Sequence, residues 1–330
     1  MQAQVINSFG EPSVLTTADI PKPTIKPGHV LIRVHATSVN PIDCKIRSGQ
    51  AASSAPNFPA VLQGDVAGVI EEIASDMTDF VIGDEVYGCA GGVKGSGGAL
   101  AEFILADARL LAKKPKSLSM LEAAAIPLVG ITAWEGLFKK ANLKSGMHVL
   151  IHGGVGGVGH IAVQLAKWCG AIVATTVTKD EDFAEAKAFG ADEVINAKQE
   201  TVQEYVQRLT NGNGFDVVFD TVGGANLDKS FAAVAVDGTV VTTLARSIHD
   251  LTPLHMKSAS LHVVFMLLPL LTGNNLEEHG KILTQIASIV ESGKLKPLID
   301  PHQFSLETAK DAHSLLESGK AHGKVVISIL

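Results

Sequence analysis

Six residues near the middle of the chain have the spacing of a phosphate-binding turn. The apolar stretch HVLIH (148–152) precedes them, and the helix-like stretch GHIAVQLAKW (159–168) follows. In that context the first glycine of G-x-G-x-x-G allows a tight turn, the second lets the backbone approach a pyrophosphate, and the third lets helix and strand pack closely. The pattern predicts a dinucleotide on the amide groups of the helix N-terminus, against the alternative of a purely structural turn. The six residues are Gly154, Val155, Gly156, Gly157, Val158 and Gly159.

The end of the next predicted strand indicates which dinucleotide binds. The strand AIVATTV (171–177) ends at Val177, where an NAD site usually has an acid for the ribose hydroxyls. Thr178 and Lys179 follow, and a hydroxyl with an ammonium suits a 2′-phosphate. The acids at 180–182 are typical of the first turn of a helix. We therefore predict NADPH as the cofactor; the alternative is that Lys179 is a solvated loop residue.

Composition narrows the possible partners and compartments. Hydrophobic residues make up 46% of the 330 residues, the net charge is −7, and no cluster of lysines and arginines is present. These features argue against a surface for nucleic acid or an anionic membrane. The most apolar stretch, VVFMLLPLL (263–271), is too short to span a bilayer, and the start lacks the pattern of a signal peptide. The three scattered cysteines are typical of reduced thiols, so we predict a cytoplasmic protein.

Three segments of different character follow one another along the chain. Up to residue 122, short strands such as HVLIRVHATSV (29–39) and VAGVIEEIA (66–74) alternate with Pro/Gly-rich turns, which favours a compact β domain. From 123 to 295, strands and helices alternate, which predicts a doubly wound parallel sheet. The segment 296–330 contains the predicted strand KPLID (296–300), a helix and a final strand. It is too short for a core of its own, so we expect it to pack on the first domain.

This order of segments resembles the medium-chain dehydrogenase/reductase superfamily, and within it the quinone oxidoreductase (zeta-crystallin-like) branch. The resemblance implies an α/β protein with a GroES-like β-barrel catalytic domain, residues 1–122 and 296–330, into which a Rossmann domain, 123–295, is inserted. That insertion explains why the glycine turn comes so late in the chain. The motifs that carry the resemblance are VNPIDCKIRSG (39–49), DVAGVIEEI…VIGDEVYG (65–88), AAAIPLVGITAWEGL (123–137), IHGGVGGVGHIAVQLAKWCGA (151–171) and FDVVFDTVGG (215–224).

The metal ligands of the zinc-dependent relatives have no counterpart in this sequence. Those relatives hold a catalytic zinc with Cys, His and Cys, and their motifs place Asn40, Gly64 and about Leu128 at these positions. Asp65 stands where the relatives have a Glu. None of the three residues can ligate zinc, so we predict no metal site.

The resemblance also implies candidate residues around substrate and cofactor. It places the loop of Asn40 and Asp43 over the nicotinamide, where Asn40 could position a substrate oxygen; the alternative is that both residues only order the turn. Thr132 matches a position on the nicotinamide side in relatives, and helix packing is its alternative. At two later strand ends, Val222 and Gly223 are expected near the ribose, and Leu244 near the carboxamide.

Without a metal, the acceptor must itself be a good electron sink. We therefore predict hydride transfer from NADPH to a quinone or another activated carbonyl compound. The first alternative is reduction of the double bond of an enal, enone or enoyl thioester. The second, of another class, is a non-catalytic NADPH-binding protein of the crystallin or sensor type. The stretch around VVFMLLPLL also predicts a homodimer through a sheet edge, against ordinary burial within one chain.

Overall fold

The computed structural model describes residues 1–75 and 79–330 and divides the chain into two compact units. The first unit comprises Met1–Leu128, Leu267–Gly293 and Pro297–Leu330, and the second comprises Val129–Met266 with Lys294–Lys296. Residues 76–78, inside the motif 65–88, lie outside the described part of the chain.

Short strands and helices make up both units. In chain order the strands are β1 (Gln2–Ile6), β2 (Thr16–Asp19), β3 (His29–Val39), β4 (Ala60–Val61), β5 (Asp65–Ile73), β6 (Glu85–Cys89), β7 (Phe103–Asp107), β8 (Leu111–Lys113), β9 (His148–His152), β10 (Ile172–Val177), β11 (Glu193–Asn196), β12 (Phe215–Asp220), β13 (Val234–Thr242), β14 (Ser260–Val263), β15 (Phe304–Ser305) and β16 (Val325–Ser328). The α-helices are α1 (Pro41–Arg47), α2 (Met120–Ala124), α3 (Pro127–Trp134), α4 (Gly159–Trp168), α5 (Phe183–Ala188), α6 (Val202–Thr210), α7 (Asn226–Ala233), α8 (Thr252–His255), α9 (Leu268–Thr272), α10 (Leu276–Glu291) and α11 (Ala309–Glu317). Within the described ranges, no helix has the length and apolar character needed to cross a bilayer.

The first unit is a mainly antiparallel β structure around the long strand β3. Its larger sheet has the order β15-β16-β3-β5-β6-β8, with β7 also paired to β3. Along β3, Val30, Ile32 and Val34 are fully buried, and Arg33 and His35 between and after them are more exposed, as expected where one face of a strand lies on the core. The C-terminal strand β16 pairs antiparallel with β3 and thereby completes this sheet from the far end of the chain.

Three segments differ from the sequence predictions. The predicted strand KPLID is wrong, since this stretch makes only an isolated bridge between Ile299 and Lys324. Residues 123–128 and 267–293, predicted within the nucleotide-binding domain, cluster with the first unit. There the Tyr87 hydroxyl donates to the Leu283 carbonyl at 2.6 Å. An amphipathic pattern shows that a helix covers a core but not which core.

The second unit is a doubly wound parallel sheet, as predicted. The strand order is β11-β10-β9-β12-β13-β14, so the chain reverses direction across the sheet between β9 and β12. Leu150, Ala174 and Val218 lie on neighbouring strands and join one buried cluster, which also contains Phe231 from α7. In open α/β sheets, ligands bind outside the carboxyl ends of the strands at such a switch point.

Candidate functional site

The glycine turn joins β9 to α4, and two of its glycines are required by packing. A Cβ at position 154 would lie 2.2 Å from Thr175 Oγ1, and one at position 159 would lie 1.9 Å from the carbonyl oxygen of Gly153. Real Cβ atoms do not approach so closely. Only glycine therefore allows β9 and α4 to pack as they do.

Gly156 is different, because nothing inside the protein requires a glycine there. It is exposed, and the nearest atom to a Cβ at this position is the Gly153 carbonyl oxygen, at 3.2 Å. The neighbouring Val155, Gly157 and Val158 are half-buried. The backbone at Gly156 is thus open to a ligand, as a turn that receives a pyrophosphate requires.

A cavity of about 340 Å³ opens at the same edge of the sheet. The Nδ1 of His152 lies 3.2 Å from Thr176 Oγ1. Its buried Nε2, like the hydroxyl of Tyr205, has no hydrogen-bond partner among the described residues. Burial lowers the pKa of His152 to about 4, so the ring is neutral. A neutral heterocycle with donors and acceptors can satisfy such groups, so this cavity fits a heterocyclic ligand, while the open glycine turn beside β9 fits a pyrophosphate. The cavity is lined by His152, Thr176, Ala197, Lys198, Gln199, Glu200, Thr201, Val202, Tyr205, Asn226 and Lys229.

The end of β10 has the residues that the sequence indicates. The strand ends at the buried Val177, and Thr178 and Lys179 are exposed after it. The Lys179 ammonium lies 3.0 Å from a carboxylate oxygen of Glu181, whose hydrogen bond raises the pKa of Lys179. Lys179 is therefore charged and accessible, but it shares its charge with Glu181. Its contact with a 2′-phosphate stays a prediction.

The turn after β12 is built around a buried carboxylate that the sequence analysis did not single out. Asp220 accepts hydrogen bonds from the backbone N–H groups of Val222 and Gly223, both at 2.8 Å. Gly223 has a φ of +72°, and a Cβ there would lie 2.5 Å from Cβ of Leu244. The structure therefore brings Val222, Gly223 and Leu244 together. Thr132 is buried on α3, and its predicted contact with the cofactor remains untested.

In the first unit, Asn40 belongs to a buried polar network. Its backbone N–H donates to Asp43 at 2.7 Å, and its side-chain Nδ2 donates to Asp65 at 2.8 Å. The Lys324 ammonium donates to Asn40 Oδ1. Burial raises the pKa of Asp43 to about 7. These contacts give Asn40 and Asp43 a structural role at the start of α1, while their role toward a substrate stays a prediction.

Asp65 is the centre of this network. Its carboxylate accepts from the Ser38 hydroxyl at 2.7 Å and from the Leu128 backbone N–H at 2.8 Å. The Lys324 ammonium lies 3.5 Å from the same carboxylate. Sequence analysis missed Lys324, because it is 284 residues from Asn40 along the chain and no motif connects them.

This network does not fit a zinc ion. Its cation is an ammonium, and a second positive charge beside it would be repelled. At Gly64 a Cβ would already lie 2.9 Å from the Gly91 carbonyl oxygen, so a histidine ligand has no room there. Throughout residues 1–75 and 79–330, no group of three or more His, Cys, Asp or Glu side chains could hold a metal.

Cys44 and His313 form a second buried pair in this unit. The Cys44 Sγ lies 3.5 Å from His313 Nδ1. Burial raises the pKa of Cys44 to about 12 and lowers that of His313 to about 3. Both groups are therefore neutral, and the pair cannot act as a thiolate nucleophile.

Known proteins match this chain over its whole length. The family model of the alcohol dehydrogenase GroES-like domain matches residues 26–116, and that of the zinc-binding dehydrogenases matches residues 189–327. The chain is 36% identical to the 2-methylene-furan-3-one reductase of Solanum lycopersicum, over 99% of this chain and 79% of the relative. It is 33% identical to an NADPH-dependent alkenal/one oxidoreductase of Arabidopsis thaliana, with the same two coverages. It is 30% identical to the human quinone oxidoreductase, over 99% and 97%.

Solved structures give the same result. An alcohol dehydrogenase superfamily protein from Novosphingobium aromaticivorans is 38% identical and superposes with a TM-score of 0.95, with all of both chains covered. A mycobacterial protein in complex with NADPH is 31% identical, with a TM-score of 0.88 and all of both chains covered. The chain therefore belongs to the medium-chain dehydrogenase/reductase superfamily, in its quinone oxidoreductase-like branch. It is an oxidoreductase that uses a nicotinamide cofactor.

Proposed function

We propose that this protein transfers hydride from NADPH to quinones or enones without a zinc ion. The observation that carries the proposal is the buried network of Asn40, Asp65 and Lys324, in which Asn40 stands at a position where the resemblance puts a zinc ligand. Without a Lewis acid, a simple carbonyl is difficult to polarise. Quinones, and alkenes conjugated to a carbonyl, accept hydride more readily. The names of the relatives include a quinone, an alkenal/one and a methylene-furanone, which supports this class of acceptor.

The residues proposed to hold the cofactor lie at the carboxyl ends of the strands. When bound, NADPH supplies the hydride. The amide groups of the glycine turn would hold the pyrophosphate, and Thr178 with Lys179 would hold the 2′-phosphate. The exposed Val222 and Leu244 would lie along the cofactor, as in the resemblance.

An acceptor screen tests this function. The purified chain is mixed with NADPH and, separately, with a naphthoquinone, an enal, an enone and a simple aldehyde, and cofactor oxidation is followed. We expect turnover with the quinone or the conjugated acceptors and little with the aldehyde. The product separates the two leading reactions: a hydroquinone, or a saturated carbonyl with a new C–H bond at the α carbon. Cofactor fluorescence that changes on binding, with no turnover of any acceptor, would instead indicate a non-catalytic NADPH-binding protein.

A homodimer through β14 is part of the proposal. This strand lies at the end of the six-stranded sheet and, within the described part of the chain, pairs only with β13. Val263 at its end and Phe265 just after it are 46% and 50% exposed. An exposed apolar edge strand is a template for another strand, and a second copy would cover it. Light scattering should give the mass of a dimer, and Val263→Lys should shift the protein toward the monomer.

A cytoplasmic location is the remaining part of the proposal. Its support is the state of the three cysteines, since Cys44, Cys89 and Cys169 are all free thiols. Free thiols persist in a reducing compartment. Fractionation of the source cells tests this assignment.

A further inference from the structure

Three polar side chains of the second unit are hydrogen-bonded in series. The Ser247 hydroxyl contacts Nε2 of His249, and Nδ1 of His249 lies 2.8 Å from Oδ1 of Asp228. Ser247 and His249 lie on the loop between β13 and α8, and Asp228 lies in the first turn of α7. The carboxylate, the imidazole and the hydroxyl thus have the order of a Ser-His-Asp array, which is recognised by geometry rather than by sequence position.

The exposure of its side chains shows which end of the array a substrate can reach. The side chain of His249 is only 9% exposed and packs edge-on against Phe231, with ring centroids 5.8 Å apart. Ser247, in contrast, is exposed. The carboxylate fixes the orientation of the imidazole, and the hydroxyl is the end of the array that a substrate can reach.

The loop that carries the array is attached to the strand ends described above. Thr243 N–H donates to the Asp220 carbonyl oxygen at 3.2 Å, and Leu244 packs against Gly223. The array therefore lies at the carboxyl edge of the sheet, next to residues that are candidates for cofactor contact. This is the edge where ligands bind in folds of this type.

We propose that Ser247, His249 and Asp228 form a proton relay that protonates the α carbon of an enone substrate. The proposal rests on the proposed function and deepens it, because it names a proton donor for double-bond reduction. Ser247 is the catalytic residue, and His249 and Asp228 are positioning residues that act through it.

The step balances in atoms and electrons. Hydride addition to the β carbon of the enone moves the π electrons of the double bond onto an enolate. The Ser247 hydroxyl gives its proton to the α carbon, forming the new C–H bond, and takes in its place the proton carried on Nε2 of His249. The imidazole stays hydrogen-bonded to Asp228 through Nδ1, and a proton from solvent replaces the one given up at Nε2. One hydride and one proton are consumed for each double bond. A reduced quinone, in contrast, takes its proton on oxygen and can obtain it from water.

The contrast between the two acceptors provides the test. Wild type, Ser247→Ala, Ser247→Thr, His249→Gln and Asp228→Asn are assayed with an α-methyl enone and with a naphthoquinone. We expect the ratio of enone to quinone turnover to fall by about 100-fold in Ser247→Ala, the typical contribution of a positioned acid. Ser247→Thr, which keeps the hydroxyl, should retain most of the ratio. His255→Gln, on exposed α8, is the matched control for His249→Gln.

Two further measurements distinguish a proton relay from a purely structural role, in which the three side chains only hold the loop in place. Titration of NADPH fluorescence shows whether each variant still binds the cofactor. The configuration at the new α stereocentre, analysed after short reactions, should be single in wild type and mixed in Ser247→Ala, since solvent can protonate either face. A structural role would not change that configuration.

The outcomes are distinct. An unchanged enone-to-quinone ratio, or an equal fall with both acceptors, would overturn the relay while leaving the proposed function intact. If the wild type releases nitrophenol from nitrophenyl acetate and Ser247→Ala does not, Ser247 acts as a nucleophile, and the relay is overturned. A wild-type protein that reduces neither acceptor would overturn the proposed function, and the relay with it.

Discussion

The Nζ atom of Lys324 lies 3.5 Å from Oδ2 of Asp65, and both side chains are almost entirely buried. The pair joins the residue just before the final strand β16 to the start of β5. Burial lowers the pKa of Lys324, and the neighbouring carboxylates of Asp65 and Asp43 oppose that shift. An internal ion pair thus lies beside Asn40, the position at which the resemblance puts a zinc ligand.

Removing one member of this pair should destabilise the protein strongly. Lys324→Met leaves Asp65 as an uncompensated buried charge, which typically costs about 3–5 kcal/mol. Urea unfolding measures the loss, with the exposed Lys320→Met as control. The double variant Asp65→Asn, Lys324→Met should recover part of it. A Lys324→Met protein as stable as wild type would show that the pair does not hold the network together.

Asp43 should make stability depend on pH. Its pKa in the folded protein is raised to about 7 by burial, well above that of an exposed aspartate. The folded state therefore binds the proton more tightly than the unfolded state. The resulting stabilisation is complete below about pH 4 and is lost as the pH rises through about 7, with a total on the order of 4 kcal/mol. In Asp43→Asn this part of the pH dependence should be absent from urea unfolding curves. Parallel pH dependences for the two proteins would contradict the assignment.

Substitutions at two positions of the glycine turn should have different effects, one on cofactor binding and the other on folding. Gly156→Val places a branched side chain at an open position, so we expect an intact fold and NADPH affinity that is weaker by about tenfold or more. Gly159→Ala is the contrasting variant, since its Cβ would meet the Gly153 carbonyl oxygen and damage the fold itself. Calorimetry and circular dichroism distinguish the two effects. Unchanged NADPH affinity in Gly156→Val would show that the pyrophosphate binds elsewhere.

Cofactor choice should depend on the residues after β10. NADPH is expected to bind about tenfold more tightly than NADH, because a charge-assisted contact to the phosphate is available only in NADPH. Lys179→Ala should weaken NADPH alone, and Val177→Asp should shift the preference toward NADH. Glu181→Gln should strengthen NADPH binding, since Glu181 competes for the same ammonium. Equal dissociation constants of the wild type for both cofactors would refute this role of the strand end.

Zinc should be absent from the purified protein. Asn40, Gly64 and Leu128 offer no ligand set, and Lys324 places a positive charge in the network. Elemental analysis should therefore find no stoichiometric zinc, and chelators should leave turnover unchanged. A content of one zinc per chain, with activity lost on chelation, would contradict the metal-free mechanism.

Local patterns in the sequence predicted the elements around the cofactor. The strand–turn–helix around Gly154–Gly159, the end of β10 at Val177 and the parallel sheet all follow from short-range rules of backbone geometry and apolar periodicity. Such rules act within about one helix or strand, so they can be read from neighbouring residues. The alternation of element types along the chain likewise predicted the order of the three segments, and the resemblance then identified the two domain types.

Contacts between distant segments depended on the tertiary structure. Lys324 meets Asp65 because β16 pairs with β3, and the final strand carries no signal of that pairing in its own residues. His249 meets Asp228 because the loop after β13 folds onto α7. The sequence by itself determined a dinucleotide-binding oxidoreductase of this superfamily, since glycine turns and strand ends are local. Only the fold decided which buried charges pair and which carboxylate contacts the imidazole of His249, because those contacts join residues that no local rule connects.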